Sequence, residues 1–360
     1  MTGVFARFAL AGVGAAAVTF GIVAGLVRFA PRIGLVDRPN ERSSHVNPTP
    51  RGGGIGFVIT AAAGLALLFA GAIGRALEPA LVRPVVVLLV ASVAVAAISL
   101  WDDFRSIGAG VRLAMHLSAG AAAVWGAGRI GIVEMPLLGS VELGVAGAAV
   151  TVLWVAGLTN VYNFMDGIDG IAGVQGLAAG VAWTIAGVWM GWPVAAWLGA
   201  VLAGGCAGFL GHNWSPARIF MGDVGSAFLG FLFAAIALVA RQEAGEVGGQ
   251  TLARLPIFAI LAVFPFVGDG TLTLVRRALK REAVWRAHRS HLYQRLVISG
   301  WSHARVSSLF AAWAAASVAV GLFWLTGRPG SAAAAAVFPP LSVAAMFALT
   351  TLRERSAAAS

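Results

Sequence analysis

The chain has 360 residues, 59% hydrophobic and only 11% charged, where a soluble domain carries about 25% charged residues. With a mean hydropathy of +0.86, a soluble fold is excluded. The net charge of +10 would suggest nucleic acid in a soluble protein, but here the arginines flank apolar runs, so they report topology and imply no nucleic-acid partner. The single cysteine, Cys206, excludes both an intramolecular disulfide and a cysteine-based metal centre.

Apolar runs long enough to cross a hydrocarbon core of about 30 Å lie at roughly 5–29, 52–74, 84–101, 111–128, 145–161, 170–190, 193–211, 224–240, 252–275, 305–326 and 331–350. The expected fold is therefore an all-α polytopic membrane protein of about 11 transmembrane helices, forming one domain over residues 1–360. Alternate connections between these runs, together with the C-terminal tail, hold 18 of the 25 lysines and arginines. Those connections are expected on the cytoplasmic side, with the N-terminus outside and the C-terminus inside. On the outer side, residues 129–144 alternate apolar and polar around Pro136 and Gly139, which predicts a small β-hairpin.

The polar motifs fall in the cytoplasmic connections. Residues 48–54, Pro-Thr-Pro-Arg-Gly-Gly-Gly, open the second run; free amides around Gly53 together with Arg51 would cradle an anion. The loop lacks the Gly-Lys-Ser/Thr ending of a P-loop. Arg42 and His45, just before it, are candidate phosphate contacts. Asp102 and Asp103 end the third run as adjacent carboxylates, which either hold a cation or a substrate proton between them or form a solvated helix end. Asn160, Asn163, Asp166 and Asp169 recur every third residue, which on a helix gives one oxygen-rich stripe suited to magnesium and nucleotide. Gly167 and Gly170 would open the backbone there to a phosphate; a turn role for Asp-Gly-Ile-Asp-Gly is the alternative.

Asp223, between glycines at the start of the eighth run, is either a helix cap or a metal ligand. In the basic loop, His288, His291 and Arg295 are spaced to share a helical face, and neighbours such as Arg289 favour phosphate over a second cation. Asp269, after Phe-Pro-Phe, reads as a structural carboxylate at a helix break. His116, His212 and His303 read as packing or interface residues.

Taken together, these segments resemble the polyprenyl-phosphate N-acetylhexosamine-1-phosphate transferase superfamily, which is of the glycosyltransferase family 4 type. The resemblance runs from Asp37 to Arg295 and keeps the family's motif order. It implies a bacterial inner-membrane enzyme with a cytoplasmic active site. The enzyme would transfer a sugar-1-phosphate from a UDP-N-acetylhexosamine to undecaprenyl or another polyprenyl phosphate, releasing UMP with magnesium, or manganese in its place. It further implies Asp223 and Asn163 as metal contacts, and Asp102, Asp103 and Asp223 as catalytic carboxylates. Asn160, Asp166 and Asp169 would lie near the nucleotide or metal, and His288, Arg289, His291 and Arg295 would hold the diphosphate and sugar.

The run count resembles the GlcNAc-1-phosphate branch, and His-Arg-Ser-His-Leu-Tyr-Gln-Arg-Leu resembles members that initiate O-antigen and other surface polysaccharides. A muramoyl-pentapeptide substrate fits less well. The identity of the sugar, a homodimer, and the choice between direct attack on the β-phosphorus and a phospho-aspartate intermediate stay open. The rival reading is a transporter or lipid flippase, which would place polar groups near the bilayer midplane rather than at one face.

Overall fold

In lipid the backbone must satisfy its own hydrogen bonds, so long apolar runs close into helices. The computed structural model describes residues 2–37, 39, 47–71, 73, 77–245, 249–283 and 288–359, which places Arg42 and His45 outside the described residues. The described helices are α1 (Thr2–Phe29), α2 (Ile55–Phe69), α3 (Pro79–Phe104), α4 (Ala109–Ala127), α5 (Ala146–Met165), α6 (Ile171–Met190) and α7 (Pro193–Asn213). They continue as α8 (Asp223–Ala244), α9 (Gly249–Ala262), α10 (Phe264–Leu279), α11 (Leu292–Ile298), α12 (His303–Thr326) and α13 (Ser331–Ala359).

Each of the expected runs is helical, yet not all qualify as spans. Among the described residues, 8 helices are long and apolar enough to cross a membrane, and the pair α9 and α10, bent by 75°, makes up to 9. The second run forms a helix of only 15 residues. The fourth forms one of 19 residues that carries Arg112 and His116 and falls below the hydropathy of the others.

The helix α8 is the hub, with 94% of its apolar window buried, whereas α1 and α13 are peripheral at 17% and 11%. Small residues bring helices close: a Cβ on Gly204 of α7 would lie 2.0 Å from Gly12 O of α1. Between α9 and α10 the ring of Pro265 interrupts the ladder. The carbonyls near this break accept from neighbouring helices, Leu261 O from Ser317 Oγ at 2.6 Å and Ala262 O from Gln175 Nε2 at 3.0 Å. The break thus keeps its backbone satisfied inside the bundle.

Two small antiparallel pairs complete the fold. Strand β1 (Val36–Asp37) pairs with β2 (Thr49–Pro50), a contact the sequence did not suggest. Strands β3 (Ile132–Met135) and β4 (Gly139–Glu142) form the expected hairpin, in register Ile132↔Glu142 to Met135↔Gly139. Arg254 of α9 anchors it through two hydrogen bonds to Glu134, at 3.0 and 3.2 Å.

Candidate active site

The motif residues meet at the end of the bundle where α1, α3, α5, α7 and α10 finish and α2, α4, α6, α8 and α12 begin. Asp103 is buried and its two oxygens accept the backbone amides of Asp223 and Val224, each at 3.1 Å, with Arg51 Nη1 3.9 Å away. The cap of α8 is therefore Asp103, reaching across from α3, and the Asp223 carboxylate is left free of that duty. A negative group at a helix N-terminus also complements the helix dipole. Gly222, at φ +75°, permits the fit: a Cβ there would lie 2.8 Å from Asp103 Oδ2.

The glycine loop takes a different part from the one expected. Gly53 N donates to Phe220 O at 2.9 Å and Gly54 N to Met221 O at 2.8 Å, while Phe220 N donates to Pro50 O at 2.8 Å. These amides zip the loop to the segment before α8, so Gly53 does not contribute the free amide an anion cradle needs. The glycines serve close packing, since a Cβ on Gly54 would stand 2.2 Å from Gly225 Cα.

Asp102 accepts from Ile107 N at 2.7 Å and from Arg112 Nη1 at 3.0 Å. The same Arg112 nitrogen is 3.5 Å from Asp223 Oδ2, so one guanidinium bridges the two carboxylates. Asp223 and Arg112 are each about one-third exposed, at 34% and 35%. They open on a cleft with about 360 Å³ of empty space that Asn160, Asn163 and His116 also line. Asn163 donates to Ser226 Oγ at 3.0 Å and lies within hydrogen-bonding reach of Asp223. Asn160 turns its amide onto its own helix, donating to Ala156 O at 2.8 Å. Arg112 and His116 were read from sequence as a topology marker and a packing residue, and only the fold brings them to this cleft.

The polar stripe expected at 160–169 is shorter than the spacing implied. The helix α5 ends at Met165, so Asn160 and Asn163 lie on it, Asp166 is its C-cap and Asp169 belongs to the following loop. Asp166 is half-buried. Desolvation by the surrounding protein, reinforced by the charges of Asp223, Asp103 and Asp169, pushes its pKa up to about 8.

Asp169 is tied up locally: its Oδ2 accepts Ala217 N at 3.2 Å and pairs with His303 Nδ1 at 3.2 Å. Burial acts to raise its pKa, but the His303 hydrogen bond and charge, with Ala217 and Ser215, outweigh it and hold the carboxyl below its ordinary range. Asp169 therefore joins the 166–170 loop to α12. Gly167 is required by the ring of Tyr293, whose hydroxyl would lie 2.1 Å from an added Cβ, rather than by an approaching phosphate.

The basic loop is organised by Asp269. This fully buried carboxylate receives Leu292 N at 2.9 Å, Tyr293 N at 3.3 Å, Thr273 Oγ1 at 3.0 Å and His291 Nδ1 at 3.2 Å. The structural role expected for Asp269 takes this form, a cap for α11 from the neighbouring α10. Because α11 begins at Leu292, His291 is its N-cap and His288 lies in the preceding loop, so His288, His291 and Arg295 do not share a helical face. The rings of His288 and His291 nevertheless lie 5.0 Å apart. Desolvation, then the charges of His291 and Arg277, lower the His288 pKa to about 4, so its ring is neutral at pH 7. Arg289 has a buried Nε without an acceptor among the described residues. Arg295 turns away to α13, where Glu354 accepts from its Nε at 2.8 Å and its Nη2 at 2.6 Å.

Among the described residues no three His, Cys, Asp or Glu side chains are grouped to hold a metal by themselves. A magnesium ion does not need such a group, since it keeps several waters and takes one or two carboxylates together with substrate phosphates. Asp223, partly exposed beside Asn163, offers such an oxygen position.

Residues 85–241 match the model of glycosyl transferase family 4. The chain is 31% identical over 334 residues to the decaprenyl-phosphate N-acetylglucosaminephosphotransferase of Mycobacterium tuberculosis, covering 85% of this chain and 80% of that protein. It is 31% identical over 283 residues to the probable undecaprenyl-phosphate N-acetylglucosaminyl 1-phosphate transferase of Bacillus subtilis, covering 77% and 73%. A phospho-N-acetylmuramoyl-pentapeptide-transferase of Moorella thermoacetica is 31% identical over 218 residues, covering 60% and 65%.

Proposed function

The chain belongs to glycosyl transferase family 4, within the polyprenyl-phosphate N-acetylhexosamine-1-phosphate transferase superfamily, and from that premise we propose that it transfers an N-acetylhexosamine 1-phosphate from a UDP-sugar to polyprenyl phosphate. UMP is released, and the lipid diphosphate sugar initiates a cell-surface polysaccharide. The observation that carries this reading is Arg112, held between Asp102 and Asp223 at the mouth of a polar cleft. A transporter would require its polar groups near the midplane; here they cluster at one end of the bundle.

On this reading Arg112 binds the acceptor phosphate, since a guanidinium fork matches phosphate oxygens. Asp102 fixes the orientation of the guanidinium, and Asp103 fixes the start of α8 so that Asp223 faces the cleft. With a second pKa near 6, the lipid phosphate is largely dianionic at neutral pH and needs little help from a base. Its oxygen attacks the β-phosphorus of the donor, the bond to the UMP oxygen breaks, and UMP leaves with that electron pair. Asp223 and Asn163 would hold a magnesium ion, or manganese in its place, which when bound neutralises charge on the diphosphate. Asp166 contacts the nucleotide, and His288 and Arg289 contact the sugar diphosphate.

The acceptor tail has a matching surface. An apolar cavity with about 810 Å³ of empty space lies between α5, α8, α9 and the hairpin, lined by Val150, Trp154, Leu238 and Ile257 among others. It lies farther along α5 from the cleft: 13 residues separate Val150 from Asn163, a rise of about 20 Å.

The test is purified protein with undecaprenyl phosphate, magnesium and UDP-GlcNAc, or its QuiNAc and FucNAc counterparts, scored for UMP and the lipid-linked product. Turnover with one donor is expected. Turnover with none, while a related enzyme works in the same assay, would overturn the reading.

We also propose that the active-site end faces the cytoplasm of a bacterial inner membrane, because the basic connections lie there. Ser106→Cys and Ser290→Cys variants should resist an impermeant thiol reagent in intact cells and react after permeabilisation; Cys206 is buried and gives little background. Labelling of either in intact cells would reverse the orientation.

A further inference from the structure

Arg295 marks a second polar centre, on α10, α11 and α13, apart from the Arg112 cleft. While its Nε and Nη2 bond Glu354, its Cζ stands 5.4 Å from the centre of the Phe347 ring. From α10, Arg276 Cζ stands 5.4 Å from the same ring. Two guanidiniums thus share one phenyl ring, with Glu354 as the carboxylate within electrostatic reach of both. Asp269 and Glu282 also act on Arg276, but the first is engaged by His291 and the amides of α11 and the second by Arg277, so Glu354 is left to face both guanidiniums.

The donors are also incomplete. Arg276 Nη1, Arg295 Nη1 and Arg353 Nε are buried and find no acceptor among the described residues. A buried charged donor without an acceptor is costly, and its natural complement is an anion offering several oxygens, such as a phosphate. The surroundings indicate which phosphate. Leu279 at 80%, Leu352 at 61% and Ile298 at 60% exposure lie on the same three helices, within a few residues of the arginines. A free phosphate gains nothing from exposed leucines, whereas a phospholipid places its headgroup on the arginines and its acyl chains on the apolar side chains. The peripheral position of α13, with 11% of its window buried, leaves this side open to lipid.

We propose that Arg276, Arg295 and Phe347 form a binding site for the phosphate of an anionic phospholipid in the leaflet level with the active-site end. The lipid would join α13 to α10 and α11 through a shared phosphate, and it takes no part in the transfer reaction.

The full chain is reconstituted into nanodiscs of phosphatidylcholine alone or mixed with phosphatidylglycerol, and thermal unfolding is followed. Retained lipid is identified by native mass spectrometry of the solubilised protein. Phosphatidylglycerol should raise the unfolding temperature and co-purify with the wild type. Arg276→Gln, which leaves the Arg295–Glu354 bridge in place, should abolish that increment and weaken phosphatidylglycerol binding about tenfold or more. A merely structural Arg276 would instead lower the unfolding temperature equally in both lipids, overturning the proposal. Equal stabilisation of the detergent-solubilised protein by inorganic phosphate would also overturn it, in favour of a free-phosphate site. Should Arg276→Gln fail to fold, Phe347→Leu, which removes the ring both guanidiniums share, supplies the same comparison; an unchanged increment in that variant counts against the site.

Discussion

Asp223→Asn is expected to lower UMP release by about 10²-fold or more, because a metal clamp supplies several kcal/mol to the transition state and each 1.36 kcal/mol is tenfold in rate. The protein should stay folded. Asp103 caps α8 through the backbone amides of residues 223 and 224, which the substitution leaves untouched, and Arg112 retains Asp102 at 3.0 Å. The amide keeps the shape of the carboxylate and removes only the charge that would hold a cation.

Asp269→Asn provides the contrast. Four donors converge on that fully buried carboxylate, three on Oδ1 and Tyr293 N on Oδ2, and an amide must put its NH₂, which cannot accept, at one of these positions. The expected result there is a marked fall in unfolding temperature, with activity lost less completely than in the Asp223 variant. The measurement is UMP release across a magnesium titration for both variants, with thermal unfolding alongside. Near-normal turnover by Asp223→Asn at low magnesium would remove Asp223 from the metal site.

Gly54→Ala is expected to destabilise the protein by about 3 kcal/mol or more, at or beyond the upper end of the range for overpacking a close contact. An added Cβ would sit 2.2 Å from Gly225 Cα and 2.3 Å from Gly225 N, both backbone atoms that no rotamer change can move. Relief requires α2 to move away from α8, which would strip the Gly53 and Gly54 amides from Phe220 O and Met221 O. The α8 start, and Asp223 with it, would lose its support. Unfolding temperature and monodispersity in detergent check this, with Gly110→Ala as control, since nothing lies within 4 Å of its added Cβ. An anion cradle makes the opposite forecast: alanine keeps the amide, so the fold would survive and only the donor constant would change. A stable Gly54→Ala protein would show that the close approach of α2 to α8 is not what requires glycine there.

The sequence by itself determined the solvent, the helical class and the gathering of the acidic motifs at one end. Those properties follow from hydropathy and from charge placed beside apolar runs, and both are local features of the chain. It determined the hairpin at 129–144 as well, because alternation and turn residues are short-range signals. It also marked Asp102, Asp103, Asn163 and Asp223 as residues of one site, through the order of their motifs.

Only the tertiary structure decided what each of them does there. Asp103 and Asp223 are separated by 120 residues, and which carboxylate caps α8 depends on how α3 packs against it, a fact no spacing contains. The same holds for Asp269, whose partners lie 22 to 24 residues away in the next connection. Arg112 reads in sequence as one more positive-inside residue, and Arg295 as a phosphate contact. Packing places the first between two carboxylates of the cleft and turns the second toward Glu354 of α13. A charged side chain is long, and where its end comes to rest is set by the nearest buried opposite charge, which only the assembled helices supply.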